Sequence, residues 1–551
     1  MSRGKPSKAY NFGQRMYQNM KNNSKYLVIG VIFIIAGYLS FNFFSLPQVM
    51  VLDVDRAENY KVKVLPASLE DHDLNKLAKD TFSFLAMIDA GSSGCRAHVY
   101  RYGKLGTISG PLYVLPQHDS KKVKPGLSSF AEHPQDAGAS LQGLIDFMKE
   151  QVPEKDWAVT PIWLKATAGL RMLEPAKSEA VLESVRTFLG NKANSPFLFR
   201  PSFAKIIPGN EEGGFGWIAY NYLKRIIGPK RTPNSLETPY AVVEMGGASS
   251  QVSQLAPNAA AAAKIPEQYR FTFTIEGETY QLYTHSYLGF GAEQGREKLN
   301  KALSEANKAA ASANADPVKE PCLYSGYSRS VTDPITEPYQ GPAGLAIIGG
   351  ENPTEEVCVA SLGQLFKSIY NAAAVLVGVP SATLAPATAN PHPECDPRTQ
   401  PGPYSFNCIY QPEFVLDSAN FLVFENFYYM ASGLGVKSVA ALSQVLNGTV
   451  SPFPLRTTPA HIKEATNKAC DTDWATLQKT YPLDNQPKDV NLKMCFSGSY
   501  AYSFLVHGLK VDKDKVLTIQ KEVGPSEIEW ALGAAYKEAA DLLKRTNLRP
   551  V

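Results

Sequence analysis

The amino-acid sequence predicts an α/β fold, and three features of its pattern support that prediction. Apolar strand-like segments end in glycine turns, helix-like segments lie between them, and one strand–turn–strand segment occurs twice. The first copy is FSFLAMIDAGSSG followed by CRAHVYRY, at residues 82–102, and the second is Tyr240–Leu255. Helices are predicted at Ser140–Glu150 and Lys177–Leu189, and TPIWLKATAGLRML between them predicts a strand, a turn and a helix start.

Length and composition place the chain among globular proteins. It has 551 residues, 44% of them apolar and 19% charged, which is enough for more than one folding unit and a large buried core. The formal net charge is only +3, and much of that excess lies near the N-terminus. Binding driven by a strongly basic surface is therefore excluded, and nucleic acid is not expected as a partner.

An uncharged segment near the N-terminus predicts a membrane anchor. Residues 26–46 carry no charged side chain over a length that crosses a bilayer as a helix. Six basic residues and no acidic residue precede it: Arg3, Lys5, Lys8, Arg15, Lys21 and Lys25. The positive-inside rule then makes residues 1–25 a cytoplasmic tail and residues 47–80 a lumenal stem of a single-pass type II protein. The alternative is a cleaved signal peptide, although the apolar run is longer than usual for one.

Seven cysteines agree with an oxidising, lumenal environment. Six lie in the second half of the chain, and none forms a CxxC pair of the kind that binds zinc. Of the connectivities open to six cysteines, the simplest pairs neighbours: Cys322 with Cys358, Cys395 with Cys408, and Cys470 with Cys495. Cys95, inside an apolar strand, is then a buried thiol; the alternative is that all six remain reduced. The sequon at Asn447 also agrees with a lumenal domain.

The repeated segment predicts a site for phosphate and a metal ion. Asp89 and Glu244, 155 residues apart, each end an apolar strand, and a turn of small residues follows each one. Backbone N–H groups in such turns can face an anion, while the carboxylates can hold Mg²⁺ or Ca²⁺ through its waters. One copy alone is also what a simple β-hairpin shows. Two copies favour a pair of loops that face each other and grip adjacent phosphates.

Three further motifs carry candidate chemical groups. Glu211 and Glu212 lie between glycines and before an apolar helix-like run, so one of them can be a general base for water. A charge pair at a helix N-terminus is the simpler interpretation. Thr167 can position water or phosphate, and it can equally cap a helix. Trp530 can wall a phosphate site, although a single tryptophan is more often part of a core.

Taken in order, these segments resemble the five conserved regions of the nucleoside triphosphate diphosphohydrolase (apyrase) family. DAGSSGCRAHVY is similar to the first region, LKATAGLRML to the second, GNEEGGFGWIAYNYL to the third, EMGGASSQ to the fourth and EIEWALGA to the fifth. KPGLSSF, YTHSYLGFG, PCL and YSFNCIYQP, with the single N-terminal anchor, resemble the Golgi guanosine diphosphatase branch. The resemblance covers roughly residues 82–540.

The resemblance implies two lobes of the actin and sugar-kinase (ribonuclease H-like) type, with the active site in the cleft between them. Lobe I is expected over residues 81–208 and lobe II over residues 209–519, and the C-terminal segment 520–551 is expected to return to lobe I. Each lobe then holds one copy of the repeated hairpin. The resemblance also supports disulfides between neighbouring cysteines.

Catalytic roles are implied for four residues of these motifs. Glu212 would be the base, and Thr167, Ser249 and Gln251 would orient the attacking water. Arg171 would support its own motif rather than touch substrate. The implied reaction is in-line hydrolysis without a covalent intermediate, in which positioning and electrostatics supply most of the rate.

Binding roles follow from the same resemblance. Asp89 and Glu244 would position a divalent cation (Mg²⁺, Mn²⁺ or Ca²⁺), largely through water. Tyr428 would stack on the base of the nucleotide. The residues expected to bind the nucleotide or its phosphates are Ser92, Ser93, Gly94, Gly246, Gly247, Ala248, Ser249, Tyr428 and Trp530.

Three positions depart from the family pattern. Glu244 stands where the family usually has Asp, Asn210 where it has Gln, and Ser250 where it has Thr. All three changes conserve the chemistry of the side chain. Glu244, however, reaches one methylene further into a tight metal site, which can change the preference for metal or the rate.

The function implied is hydrolysis of GDP or UDP to the monophosphate and phosphate in the Golgi lumen, in support of glycosylation and nucleotide-sugar exchange. One alternative is a broader apyrase that accepts both tri- and diphosphates. Another is a nucleotide-binding module that has lost turnover because of Glu244. The expected partners are the nucleotide and the membrane, through one N-terminal helix, and a homodimer is compatible with the sequence.

Overall fold

A computed structural model describes most of the chain after residue 80. The described residues are 63–65, 81–107, 109–115, 119–229, 238–310, 318–329, 347–350, 354–366, 405–406, 409–418, 420–439, 444–446, 449–451, 454–480 and 493–545. The expected tail, membrane anchor, glycosylation sequon at Asn447 and most of the stem lie outside them. Within these residues, no helix is long and apolar enough to cross a bilayer.

Strands and helices alternate along the described residues. The strands are β1 (Val64–Leu65), β2 (Ser83–Ala90), β3 (Cys95–Leu105), β4 (Leu112–Leu115), β5 (Lys121–Val123), β6 (Ile162–Ala166), β7 (Ala204–Ile206), β8 (Ala241–Met245), β9 (Ser249–Leu255), β10 (Arg270–Ile275), β11 (Glu278–Leu288), β12 (Val318–Glu320), β13 (Ser328–Arg329), β14 (Ile347–Gly349), β15 (Phe421–Glu425), β16 (Gln444–Leu446), β17 (Thr449–Ser451), β18 (Leu455–Thr457), β19 (Leu517–Ile519), β20 (Glu522–Val523) and β21 (Ser526–Glu527). The helices are α1 (Gln142–Gln151), α2 (Ala168–Arg171), α3 (Pro175–Gly190), α4 (Gly209–Leu223), α5 (Ala259–Ala263), α6 (Ala292–Ala310), α7 (Glu355–Phe366), α8 (Phe414–Asp417), α9 (Asn426–Leu434), α10 (Pro459–Cys470), α11 (Trp474–Thr480), α12 (Met494–Tyr502) and α13 (Trp530–Arg545). The predicted α/β fold is confirmed, and so are the helices predicted around residues 140–150 and 177–189.

The two larger sheets have five strands in the same order: β4–β3–β2–β6–β7 of the first sheet corresponds to β11–β9–β8–β15–β19 of the second. In the first, β4–β3–β2–β6–β7 lie side by side, with β1 and β5 also paired to β3; the second runs β10–β11–β9–β8–β15–β19–β18. Each contains an antiparallel hairpin, β2–β3 or β8–β9, whose first strand pairs in parallel with a later strand, β6 or β15. Parallel strands end at the same edge of a sheet. Each hairpin turn therefore lies beside the C-terminal end of a strand that is distant in sequence.

Three apolar cores surround these sheets. The first sheet packs one face against α1 and α3, where Ile88, Leu144 and Val181 are fully buried. The second sheet packs against α9, α10 and α12 on its outer side. The central core contains residues of both sheets together with α4 and α13, including the fully buried Trp217 of α4. Because both hairpin strands border this shared core, their turns are held by packed elements on both sides.

Glycines let the helices of the central core approach closely. A Cβ atom on Gly533 of α13 would overlap the backbone oxygen of Phe215 in α4. A Cβ atom on Gly214 of α4 would likewise collide with the ring of Phe271 in β10. Gly533 of the fifth motif therefore brings α13 into direct contact with α4, and Gly214 of the third motif brings α4 against β10; a larger side chain would prevent either contact.

Two of the predicted disulfides are confirmed. Cys322 is bonded to Cys358, and Cys470 is bonded to Cys495. The third predicted pair, Cys395 with Cys408, lies outside the described residues. Cys95 is a buried free thiol at the start of β3, as its position in an apolar strand predicts. Both bridges lie in the core of the second sheet, where they cross-link its helices and loops.

Candidate active site

A polar cavity of about 120 Å³ lies where the two hairpin turns meet. The first turn, residues 91–94, joins β2 to β3, and the second turn, residues 246–248, joins β8 to β9. Its walls come from the ends of β2, β6, β8 and β15 and from the starts of α2, α4 and α13. The lining residues are Asp89, Gly91, Ser92, Ser93, Gly94, Arg96, Lys122, Thr167, Ala168, Glu212, Glu244, Gly246, Gly247, Ala248, Ser249, Glu425, Glu529 and Trp530. All of the residues expected at the site are among them except Gln251 and Tyr428.

Tight packing holds the first turn against its neighbours. A Cβ atom on Gly169 of α2 would lie 2.9 Å from the Cα atom of Ser92, and one on Gly126 would collide with the backbone of the same serine. Across the cavity, a Cβ atom on Gly247 would lie 3.1 Å from the Oγ atom of Ser92. The two turns therefore face each other at short range, in the arrangement that the repeated segment predicts.

A network of short hydrogen bonds joins the candidate base to the second turn. The Nη2 atom of Arg171 lies 2.6 Å from the Oε2 atom of Glu212 and 3.3 Å from the Oγ atom of Ser249. The Nε2 atom of Gln251 donates to the same Ser249 Oγ atom at 2.6 Å. Gln251 does not line the cavity; it contacts Ser249 and also acts on the carboxylate of Glu212 through a side-chain hydrogen bond. Arg171 contacts the carboxylate of Glu212 directly, and its Nη1 atom lies 3.3 Å from the backbone oxygen of Ile207, just after β7. Its support of its own motif stays a prediction.

The two adjacent glutamates of the third motif have different surroundings. Both lie in the first turn of α4, so the helix-terminus interpretation holds for their position. Glu211 forms an ion pair with Lys205 at 3.3 Å, whereas Glu212 is only 6% exposed and lines the cavity. Burial raises the pKa of Glu212, and the contact with Arg171 opposes that rise. These properties suit a general base.

Thr167 precedes α2 without capping it through its side chain. The residue occupies the N-cap position, but its hydroxyl makes no capping hydrogen bond. Instead, the Oγ1 atom lies 3.5 Å from the backbone oxygen of Ala90 and the side chain, 4% exposed, lines the cavity. A hydroxyl group that is not used for capping can orient a water molecule or a phosphate.

Asp89 and Glu244 are buried carboxylates at the floor of the cavity. Burial raises the pKa of Asp89 to about 7, against the opposing effect of Arg96 and His98. Burial and the neighbouring carboxylate of Glu212 raise the pKa of Glu244 well above its usual value. The Oδ1 atom of Asp89 and the Oε2 atom of Glu244 have no hydrogen-bond partner within the part of the chain that the structure describes.

These two carboxylates fit a divalent cation that is held largely through water. Both offer oxygen donors, which Mg²⁺ and Ca²⁺ prefer, and a cation would compensate two charges that burial disfavours. No group of three or more His, Cys, Asp or Glu side chains among the described residues is arranged to hold a metal directly. The longer side chain of Glu244 extends toward α4, where a Cβ atom on Gly216 would lie 3.3 Å from its Oε2 atom.

Four charged residues of the cavity were not assigned a role from the sequence. Arg96 pairs with Glu529, whose Oε2 atom also lies 3.0 Å from the Nε2 atom of His98. Burial alone would raise the pKa of Glu529, but His98 and Arg96 outweigh it and lower the pKa to about 2. The Nζ atom of Lys122 lies 3.4 Å from the Oγ atom of Ser93, and Glu425 completes the set.

Some of these residues carried a signal in the sequence. Glu529 precedes Trp530 within the quoted fifth motif, and Arg96 follows the first turn by two residues. Glu425 and Lys122 enter the site through strand pairing, because β15 lies beside β8 and β5 lies beside β3. Sequence spacing alone does not reveal such pairings.

Trp530 is the first residue of α13 and joins the cavity to the central core. It is 5% exposed and stacks on the ring of Phe215 at a centroid distance of 6.4 Å. It also lines the cavity. The residue is therefore both part of the core and a wall of the site, so the two interpretations of this tryptophan are compatible.

A second cavity, more apolar and of about 210 Å³, lies beside the first. Met245, Asn426, Tyr429 and Met430 are among the residues that line it. Tyr428, which was expected to stack on a base, is half-buried against the core of the second sheet and lines neither cavity. The adjacent Tyr429 is 48% exposed and faces the apolar cavity, because consecutive residues of a helix point in different directions.

An α/β fold with a polar cavity between two glycine turns fits the class of enzymes that act on phosphorylated substrates. Residues 75–550 match the GDA1/CD39 (nucleoside phosphatase) family. The chain belongs to this family and is a nucleoside phosphatase, a hydrolase, as the sequence motifs imply.

Individual relatives agree with this family over most of the chain. Guanosine-diphosphatase of Schizosaccharomyces pombe is 29% identical over 467 residues, which cover 83% of this chain and 74% of the relative. Nucleoside-triphosphatase of Pisum sativum is 27% identical, covering 85% of this chain and 90% of the relative. A crystal structure of nucleoside triphosphate hydrolases from Neospora caninum aligns with a TM-score of 0.56 at 16% identity, covering 84% of this chain and 94% of that one. At this identity the structural likeness concerns the fold alone.

Proposed function

We propose that the protein is a divalent-metal-dependent nucleoside diphosphatase that converts GDP or UDP to the monophosphate and phosphate. The observation that carries this proposal is the cavity in which two opposed turns face the network of Glu212, Arg171 and Ser249. The similarity to guanosine-diphosphatase of Schizosaccharomyces pombe supports the choice of substrate.

In the proposed reaction, the residues of the network prepare a water molecule for attack. Thr167 and Ser249 orient this water, with Gln251 fixing the hydroxyl of Ser249 at 2.6 Å. Glu212 takes the proton, while Arg171 holds the carboxylate in position through its contact at 2.6 Å. The water attacks the terminal phosphorus in line with the leaving oxygen, and no covalent intermediate with the protein is required.

The two turns bind the terminal phosphate from opposite sides. Ser92, Ser93 and Gly94 provide hydroxyl and backbone N–H groups on one side, and residues 246–249 provide them on the other. Such preorganised donors stabilise the equatorial oxygens in the transition state. Asp89 and Glu244 would hold a divalent cation through water, and that cation supplies charge neutralisation for the phosphate oxygens.

The position of the nucleoside follows from the second cavity. Its apolar lining and the exposed ring of Tyr429 suit a base, while the polar cavity next to it suits phosphates. The expected stacking by Tyr428 remains a prediction. Tyr429 has the better position for it.

The cellular setting is part of the same proposal. We place the enzyme in the Golgi membrane, with residues 26–46 as a single anchor and the catalytic domain in the lumen, where it supports glycosylation. The disulfides Cys322–Cys358 and Cys470–Cys495 support an oxidising compartment. The shared strand order of the two sheets supports a division into two lobes, residues 81–208 and 209–519, with 520–551 returning to the first.

Phosphate release by the purified protein tests the proposal. GDP, UDP, ADP, GTP and ATP are compared in Mg²⁺, Mn²⁺ or Ca²⁺ and in a chelator, with the Glu212→Gln variant as the control. We expect fast release from GDP or UDP, slow release from triphosphates, and no release in the chelator or from the variant. Full activity of the variant would contradict the role of Glu212, and undiminished turnover in the chelator would contradict the metal.

A broader apyrase is the second candidate function. The similarity to nucleoside-triphosphatase of Pisum sativum over 85% of this chain favours it. The same assay separates the two proposals, because an apyrase would release phosphate from GTP and ATP at rates comparable to those from GDP and UDP.

A further inference from the structure

Glu425 is a charged residue of the polar cavity that the proposed reaction does not use. It is the last residue of β15, which pairs in parallel with β8 so that Phe424 lies opposite Glu244 and Glu425 opposite Met245. Its carboxylate lies at the edge of the sheet beside the second phosphate-binding turn. The residue therefore reaches the cavity through sheet pairing, and its role can be sought in substrate binding.

The backbone of Glu425 has an unusual conformation. Its φ is 60° and its ψ is −119°, a region that favours glycine and that other residues occupy at a cost of about 1–3 kcal/mol. Among the described residues with positive φ other than glycine, Glu425 is the one that lines the cavity. A strained glutamate at a binding site points to a role for its side chain, because glycine at this position would avoid the strain.

Glu425 lies at the boundary between the two cavities. It lines the polar cavity, and the next residue, Asn426, lines the apolar cavity together with Tyr429 one turn further along α9. The Nδ2 atom of Asn426 donates to the backbone oxygen of Met245 at 2.8 Å, which fixes the start of α9 against the second turn. A nucleotide whose terminal phosphate is in one cavity and whose base is in the other must pass this point.

The group that passes Glu425 depends on the length of the phosphate chain. With the terminal phosphate between the two turns, as proposed above, the ribose of a diphosphate would lie at this boundary, and a triphosphate would place one more phosphate there. A carboxylate accepts hydrogen bonds from ribose hydroxyl groups and repels a phosphate. Burial and the neighbouring carboxylates of Glu529 and Glu527 raise the pKa of Glu425, while the cations Arg96 and Lys122 oppose that rise. Arg96 is also paired with Glu529, so it does not neutralise Glu425 alone.

We infer that Glu425 is a specificity-determining residue that favours nucleoside diphosphates by accepting a hydrogen bond from the ribose and repelling the additional phosphate of a triphosphate. This inference rests on the proposed function, because it assigns a cause to the proposed preference for diphosphates. Glu425 does not act on the reacting atoms, so its effect is on the choice of substrate.

The test compares kcat/KM for GDP and GTP in the wild-type protein and three variants. Glu425→Gln removes the charge at nearly constant size, Glu425→Asp keeps the charge, and Glu425→Gly removes both the side chain and the backbone strain. We expect the GTP/GDP ratio to rise about tenfold or more in the Gln and Gly variants, since like charges in a partly buried site repel strongly. The Asp variant should stay within about threefold of the wild type, a shift that corresponds to less than 1 kcal/mol.

Two controls separate a specific effect from a general one. Glu522→Gln removes a charge at an exposed position of β20 that lines neither cavity, and it should leave the ratio unchanged. Thermal unfolding of each variant checks folding, and the Gly variant should be at least as stable as the wild type because the strain is removed.

A modified substrate tests the hydrogen bond to ribose independently. The wild-type protein should lose about tenfold or more in kcat/KM when GDP is replaced by 2′,3′-dideoxy-GDP, because a hydrogen bond to a charged group is lost. The Glu425→Gly variant has no acceptor there and should lose less than about threefold. Equal losses in both proteins would contradict the inference.

The outcomes distinguish this inference from the proposed function. A wild-type protein that hydrolyses GTP as readily as GDP would refute the diphosphate preference itself. A selective wild type whose GTP/GDP ratio is unchanged in the folded Gln and Gly variants would refute the role of Glu425 while leaving the function intact. Parallel loss of activity on both substrates would also overturn the inference, since it would indicate a role in positioning the turn.

Discussion

Replacement of Asp89 by Asn should make the metal-free protein more stable while removing its activity. In the structure, the Asp89 carboxylate is buried at the cavity floor, with its Oδ1 atom lacking a hydrogen-bond partner among the described residues. Burial raises its pKa from 3.8 to about 7. Asparagine has nearly the same shape and no charge, so it avoids the desolvation that ionised Asp89 suffers.

The size of the effect follows from the pKa shift and depends on pH. Near pH 4, Asp89 is protonated in the folded state and about half protonated in the unfolded state, so wild type and variant should differ by less than about 1 kcal/mol. As the pH rises from 3.8 to about 7, the unfolded state loses its proton first, and the folded wild type loses about 4 kcal/mol of stability relative to the unfolded state. Water in the cavity screens part of this effect, so we expect about 2–4 kcal/mol.

Guanidinium denaturation followed by tryptophan fluorescence measures this difference, in a chelator at pH 4 and pH 8. A saturating divalent cation should restore about 2.7 kcal/mol to the wild type at a hundredfold excess over Kd, and less to the variant. Asp146→Asn, at an exposed position of α1, is the matched control and should change stability by less than about 0.5 kcal/mol. A difference between Asp89→Asn and wild type that does not grow from pH 4 to pH 8 would refute the reasoning.

Three other changes test the remaining parts of the site. Arg171→Gln removes the cation that opposes the rise in the pKa of Glu212, so the acidic limb of the pH profile of kcat/KM should move to higher pH by about 1 unit or more. An acidic limb at the wild-type pH would mean that Arg171 does not control the pKa of the catalytic base. Glu244→Asp should maintain or raise turnover of GDP with Mg²⁺, and a complete loss would mean that the site has adapted to the longer side chain. Gly533→Val should destabilise the protein by about 3 kcal/mol in denaturant, because its Cβ atom meets a backbone oxygen of α4. Gly143→Ala, whose Cβ atom would meet only an ordinary contact at 3.8 Å, is the control and should show no such loss.

Local features of the candidate site could be predicted from the sequence alone. Strand–turn patterns at Asp89 and Glu244 predicted two similar turns, and the structure places both at one cavity. These features are local, since a buried strand followed by small residues produces a tight turn whatever surrounds it. The ordered motifs likewise predicted the family, and the simplest pairing of neighbouring cysteines, which the resemblance supports, predicted two of the disulfides.

The residues that join the cavity from distant parts of the chain could not be predicted in this way. Glu425 reaches the cavity because β15 pairs with β8, and Arg171 meets Glu212 because the end of α2 lies against the start of α4. Tyr429, rather than Tyr428, faces the apolar cavity because of the rotation of α9. Such contacts depend on sheet pairing and helix packing between segments far apart in sequence, and periodicity along the chain carries no information about them.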